Sequence, residues 1–95
     1  MTAQPGSPGA AKDCLRECMI GLLAERGPGR SVCPSEVARV SAMRIGGRWQ
    51  DLMPQVRAMA RTLAAEGIVE AIQHEGVVVL HEVRGPVRLR LCRYP

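Results

Sequence analysis

The hydrophobic pattern changes its period at Gly67, and this change does most to limit what the 95-residue chain can fold into. Before it, Leu52, Val56, Met59 and Leu63 recur at spacings of four and three, the stripe of an amphipathic helix. After it, Val87, Leu89 and Leu91 alternate with Arg88 and Arg90, the two-residue period of a half-buried strand. Helices followed by strands, in a length that suits one hydrophobic core, predict an α+β domain.

Two further helices precede the clear one. From Asp13 to Arg26, Leu15, Met19 and Leu22 form a stripe flanked by Cys18 and Leu23, and Gly27-Pro28-Gly29 ends the run. Cys33-Pro34-Ser35-Glu36 opens another, with Pro34 suited to the first helical position and Glu36 to the positive end of the helix dipole. Val37 and Val40 are expected to face inward. Gly46-Gly47 breaks the pattern before the third helix, Trp49 to Glu66, whose first turn accommodates Pro54 because the N–H that proline lacks has no intrahelical partner there. Beyond Gly67, strands are expected over Ile68 to Gln73, Val77 to Leu80 and Val87 to Leu91. His74-Glu75-Gly76 and Arg84-Gly85-Pro86 are the turn signals between them. Residues 1–12, MTAQPGSPGAAK, carry little to bury and read as a disordered tail ahead of a domain over 13–95.

All of the 13 basic residues except Lys12 are Arg, against nine acidic residues, for a formal charge of +4. Arg favours planar, bidentate contact with phosphate or carboxylate, and coding bias toward Arg accounts for the same skew equally well. The absence of an apolar run at the start argues against a signal peptide or membrane span. The four cysteines form no C-x-x-C pair, so a cytoplasmic protein with reduced thiols is expected.

Three helices, the second and third joined by a short turn, then a β-hairpin or small antiparallel sheet, form the layout of a winged helix-turn-helix domain. The chain also resembles an uncharacterised bacterial group of winged-helix-like proteins, the domain of unknown function 3253. The resemblance lies in Leu22-Leu23-Ala24 with Arg26-Gly27-Pro28-Gly29, in Cys33-Pro34-Ser35-Glu36-Val37-Ala38, in Trp49 with Leu52-Met53-Pro54 and Val56-Arg57, and in Arg84 to Leu91. It covers residues 15 to 91 and implies a fold, with no activity attached. Val77-Val78-Val79-Leu80 stands where that resemblance implies a polar wing.

Candidate functional residues follow from this layout. Arg57 and Arg61 lie one turn apart opposite the apolar stripe of the third helix, with Gln50 near its start and Arg44 and Arg48 just before it. On a helix in the major groove, Arg reads guanine, Gln reads adenine and neighbouring Arg residues hold phosphate. The alternative is a solvated face whose Arg stems cover apolar surface. Arg88 and Arg90, bracketed by Arg84 and Arg93, would clamp phosphate beside the groove, or would simply charge a strand against aggregation. Cys14 and Cys18, one turn apart, raise a metal, metalloid or oxidant sensor, against plain packing. They fall short of a four-ligand structural zinc site unless residues from among His74, His81, Cys33 and Cys92 complete it. Cys33 sits where a helix N-terminus favours a thiolate, with no histidine near it in sequence. The scattered carboxylates and the absence of a phosphate-binding loop predict no enzyme, no cofactor, no metal and no small-molecule substrate.

Two functions are therefore open. One is a nucleic-acid-binding module, a transcriptional regulator contacting duplex DNA through the Trp49–Glu66 helix and the Arg-bearing last strand. The other is a protein-interaction or homodimerisation module that uses Val77 to Leu80, with Val78 and Leu80 at the contact.

Overall fold

A computed structural model describes residues 8–74, 76–80 and 85–92, with side-chain detail from Lys12 onward. The helices are α1 (Pro8–Arg26), α2 (Pro34–Ile45) and α3 (Met53–Ala65). The strands are β1 (Ser31–Val32), β2 (Val69–Gln73), β3 (Gly76–Val78) and β4 (Arg88–Leu91), all antiparallel in the order β1-β4-β2-β3. This is the expected α+β class, with three helices and a small antiparallel sheet, in an element order compatible with a winged helix. No described helix is long and apolar enough to cross a membrane.

Helix α1 starts at Pro8 rather than Asp13. Proline is well placed at a first helical position, and Ala10-Ala11-Lys12 are strong helix formers, so 8–12 extend the helix. Residues 1–7 of the expected tail lie outside the described residues. Helix α2 begins and ends as its sequence predicts. The Glu36 carboxylate accepts from the Cys33 N–H at 3.5 Å, and the Gly46 N–H closes the last turn on the Ala42 carbonyl at 2.7 Å.

The Trp49–Glu66 segment divides. Trp49–Leu52 winds as a 3-10 turn, and the α-helix proper starts at Met53. The missing N–H of Pro54 prevents the α-helical ladder from extending back through Gln50, so the preceding turn closes with i to i+3 bonds. Residues 55–65 are helical without a break. The period change at Gly67 is a Schellman motif: Gly67 at φ +78° donates to the Ala64 carbonyl at 3.1 Å, and Ile68 donates to the Leu63 carbonyl at 2.9 Å. Only glycine takes that left-handed turn without strain.

No pattern in the sequence signals β1, a strand of two residues directly after Arg30. Ser31 opposes Arg90 and Val32 opposes Leu89, so the last strand lies between the first and second. Strand β3 is shorter than expected, ending at Val78, and β4 starts one residue later than expected, at Arg88.

The core lies between the three helices and one face of the sheet. Met19 and Leu23 from α1, Val37 and Ala38 from α2, and Val56, Met59, Ala60 and Leu63 from α3 close on Val32, Val69, Ala71 and Leu89. The α1 stripe centres on Leu15, Met19 and Leu23, with Leu22 only partly buried. The other face of the sheet carries Ser31, Glu70, Ile72, Val77, Arg88 and Arg90, which follows from the register and strand alternation.

Candidate nucleic-acid interface

Val56, Met59, Ala60 and Leu63 bury one side of α3, so the residues opposite them point to solvent. Gln50, Pro54, Arg57 and Arg61 are all exposed. The guanidinium groups of Arg57 and Arg61 make no hydrogen bond or ion pair with any described residue, and the same holds for that of Arg48, which precedes the 3-10 turn. Both α3 arginines line a groove of about 220 Å³, whose other walls include Pro34 and Ser35 at the start of α2 and Pro86 and Val87 ahead of β4.

The remaining candidate arginines are already engaged. Arg44, in the last turn of α2, points back to α1: its Nη1 lies 3.6 Å from the Cys18 Sγ and its Nη2 3.6 Å from the Glu17 carboxylate. Arg88 donates through Nε to the Ser31 hydroxyl at 2.7 Å and through Nη2 to the Ser31 carbonyl at 3.1 Å, which ties β4 to β1. Arg90 pairs with Glu70 across the strands at 2.6 Å, both side chains about three-quarters buried. The seven candidates therefore do not form one surface. Arg48, Gln50, Arg57 and Arg61 belong to α3 and its approach, whereas Arg88 and Arg90 lie on the outer face of the sheet. Arg84 and Arg93 lie outside the described residues.

Sequence reading missed Arg39, an exposed residue of α2 whose guanidinium stacks 4.7 Å from the centre of the Trp49 ring. The pair joins α2 to the entrance of α3 by a cation–π contact. Ten residues separate the two, so no helical spacing signals it.

Strand β3 corrects the choice of partner-facing side chains. Val78 and Leu80 pack against the core, and Val77 and Val79 are the exposed pair, at 58% and 50%. Val77 pairs with Ile72 on the outer face, whereas Val78 pairs with Ala71 on the core face, and Val79 and Leu80 follow just past the end of the strand.

The thiols divide between packing and proximity. Cys14 and Cys18 lie with their sulfurs 3.9 Å apart, Cys18 buried and Cys14 partly so. Burial, and next the adjacent Cys18, push the Cys14 thiol above its ordinary pKa. Burial and the nearby Glu70 carboxylate raise Cys92 likewise. Cys33 accepts a hydrogen bond from the Ser35 hydroxyl at 3.1 Å. Among the described residues, no three of His, Cys, Asp and Glu converge as a metal-binding group.

No curated protein matches the chain. The family model described as a protein of unknown function (DUF3253) matches residues 12–92, from the second turn of α1 to the residue after β4. That match takes in α2, α3 and all four strands, and on it the chain belongs to the DUF3253 family.

Proposed function

We propose that this domain is a nucleic-acid-binding module of winged-helix type that contacts duplex DNA through the exposed face of α3. The observation that carries the reading is the contrast among its arginines. Arg48, Arg57 and Arg61 are unpaired among the described residues, while Arg44, Arg88 and Arg90 each hold a partner within the fold. An unpaired guanidinium loses little on meeting a phosphate, whereas one already hydrogen-bonded must first give up that bond. The formal charge of +4 favours encounter with a polyanion. Arg57, Arg61 and Arg48 would hold phosphates along the groove and Gln50 would reach a base edge, with Arg88 and Arg90 as structural ties. Fluorescence anisotropy of labelled duplex DNA at two salt concentrations tests this. Binding should weaken steeply as salt rises, and binding that ignores salt would refute a phosphate-based contact.

A second reading rests on β3. It is an edge strand that, together with the residue after it, exposes two β-branched side chains, Val77 and Val79. Pairing of this edge with its copy in another chain would continue the sheet across a homodimer.

A further inference from the structure

Cys18 of the α1 dithiol is buried at the edge of the core, and neither thiol belongs to the α3 face. Cys14 and Cys18 stand one helical turn apart, and their sulfurs are 3.9 Å from each other. Residues at this spacing have Cβ atoms roughly 5–6 Å apart on an undistorted helix. A disulfide brings its Cβ atoms to about 3.5–4.5 Å, so direct S–S bonding would have to bend α1. A bridging atom needs no such bending. With bonds to sulfur of about 2.3 Å, sulfurs 3.9 Å apart subtend about 116° at a shared centre. A linear two-coordinate ion with the same bonds would hold its sulfurs about 4.6 Å apart. The spacing therefore favours a bent arrangement over a linear one, and a pyramidal trivalent centre, whose bond angles are narrower, would draw the two sulfurs a few tenths of an ångström closer.

No third thiol, imidazole or carboxylate joins the pair among the described residues. The centre that suits the site is thus one that takes two sulfurs and brings its remaining substituent with it. The surroundings fit a sulfur-bound guest. Cys14 is partly exposed and gives access, Cys18 is buried and anchors the far side, and the Arg44 guanidinium 3.6 Å from the Cys18 sulfur supplies positive charge where thiolate character develops. Soft sulfur ligands select soft, thiophilic centres.

We propose that Cys14 and Cys18 form a bidentate thiol site for a soft, three-coordinate centre of the trivalent-arsenic class. With an organoarsenic oxide the reaction balances as a condensation. Two S–H bonds and the arsenic–oxygen bonds break, two As–S bonds form, and both thiol protons leave with the oxygen as one water. Arsenic stays trivalent and no electrons are transferred. Arg44 belongs to the last turn of α2, so the guest would sit at the α1–α2 junction, just before the turn that leads into α3.

Phenylarsine oxide is the probe. The reduced full chain is mixed with one equivalent in the presence of excess glutathione, a monothiol competitor that strips arsenic from single cysteines but poorly from a chelating pair. Intact-mass spectrometry should show one adduct per chain with one water lost. Cys14→Ser and Cys18→Ala should each weaken retention at least tenfold, while a Cys33→Ser, Cys92→Ser double variant should retain the adduct as the native chain does. Retention unchanged in Cys14→Ser, or loss in the Cys33, Cys92 variant, would overturn the site. Cys14 is partly exposed, so its substitution leaves the core intact, and this arm decides the matter if circular dichroism shows Cys18→Ala unfolded.

Discussion

Arg16 in α1 and Glu66 at the end of α3 meet across fifty residues in a two-bond fork, Nη1 to Oε2 at 3.0 Å and Nη2 to Oε1 at 2.7 Å. A carboxylate at a helix C-terminus faces the negative end of the dipole, and Arg16 offsets that repulsion while holding α1 against α3. The hydrogen bonds from Arg16 hold the Glu66 carboxyl below its ordinary pKa of 4.5. A carboxyl depressed in the folded state contributes stability that is fully present above 4.5 and is lost as pH falls through the lowered folded value. Both side chains are well exposed, so the effect is small and screened by salt. Thermal melts of the native chain and Glu66→Gln should differ at pH 7 and converge at acid pH. A difference that grows on acidification would contradict the assignment.

The division among the arginines gives a selective expectation for DNA binding. Arg57→Ala with Arg61→Ala should weaken duplex binding and reduce the slope of log affinity against log salt by about 1.8, two phosphate-type contacts at about 0.9 each. Arg88→Ala should leave that slope unchanged and instead lower the melting temperature, because it removes two bonds to Ser31. Equal slopes for the native chain and the α3 variant would remove α3 from the interface.

Ser41 is completely buried in α2, and its hydroxyl has no hydrogen-bond partner among the described residues. An unmet buried hydroxyl costs about 1–3 kcal/mol, and alanine fills nearly the same space without it. Ser41→Ala is expected to stabilise the domain by about 1 kcal/mol in urea unfolding. The opposite change, Leu63→Ala in the centre of the core, should cost about 2–5 kcal/mol. A loss of stability in Ser41→Ala would mean that the hydroxyl is satisfied after all.

Lysine in place of Val77 and Val79 separates self-association from folding. Both side chains are exposed, so the double variant should melt as the native chain does while sedimenting as a monomer. Lysine at Val78, which packs on the core, should destabilise the monomer itself. A native chain that is monomeric at high micromolar concentration would remove β3 as an interface.

What the sequence discloses here depends on how local each cause is. Pro34, Glu36, Gly46 and Gly67 act within a few residues, and the helix limits they predict are those observed, as is the buried stripe of Val56, Met59 and Leu63. Strand β1 has two residues and no pattern of its own, and it exists because Leu89 and Arg90 arrive beside it. The same distance in sequence hides the partners of the basic residues. Arg57 and Arg88 look alike in the chain, yet one is unpaired and the other is fixed to Ser31 fifty-seven residues away. In the Val77 to Leu80 run, composition indicates that two side chains lie outside, and only the packing of the folded chain tells which two.

The central place of β4 sets an order of events for the growing chain. Ribosomes add about 5–20 residues per second from the N-terminus, so α1, α2 and α3 emerge well before Arg88. Until Leu89 is made, Val32 has no strand to oppose it, and β1 stays an open loop. The nascent domain then holds three helices and the β2–β3 hairpin, with the place between β1 and β2 still unfilled. The sheet closes in one late step, when four residues near the end of the described chain slot between its oldest and its newer strand.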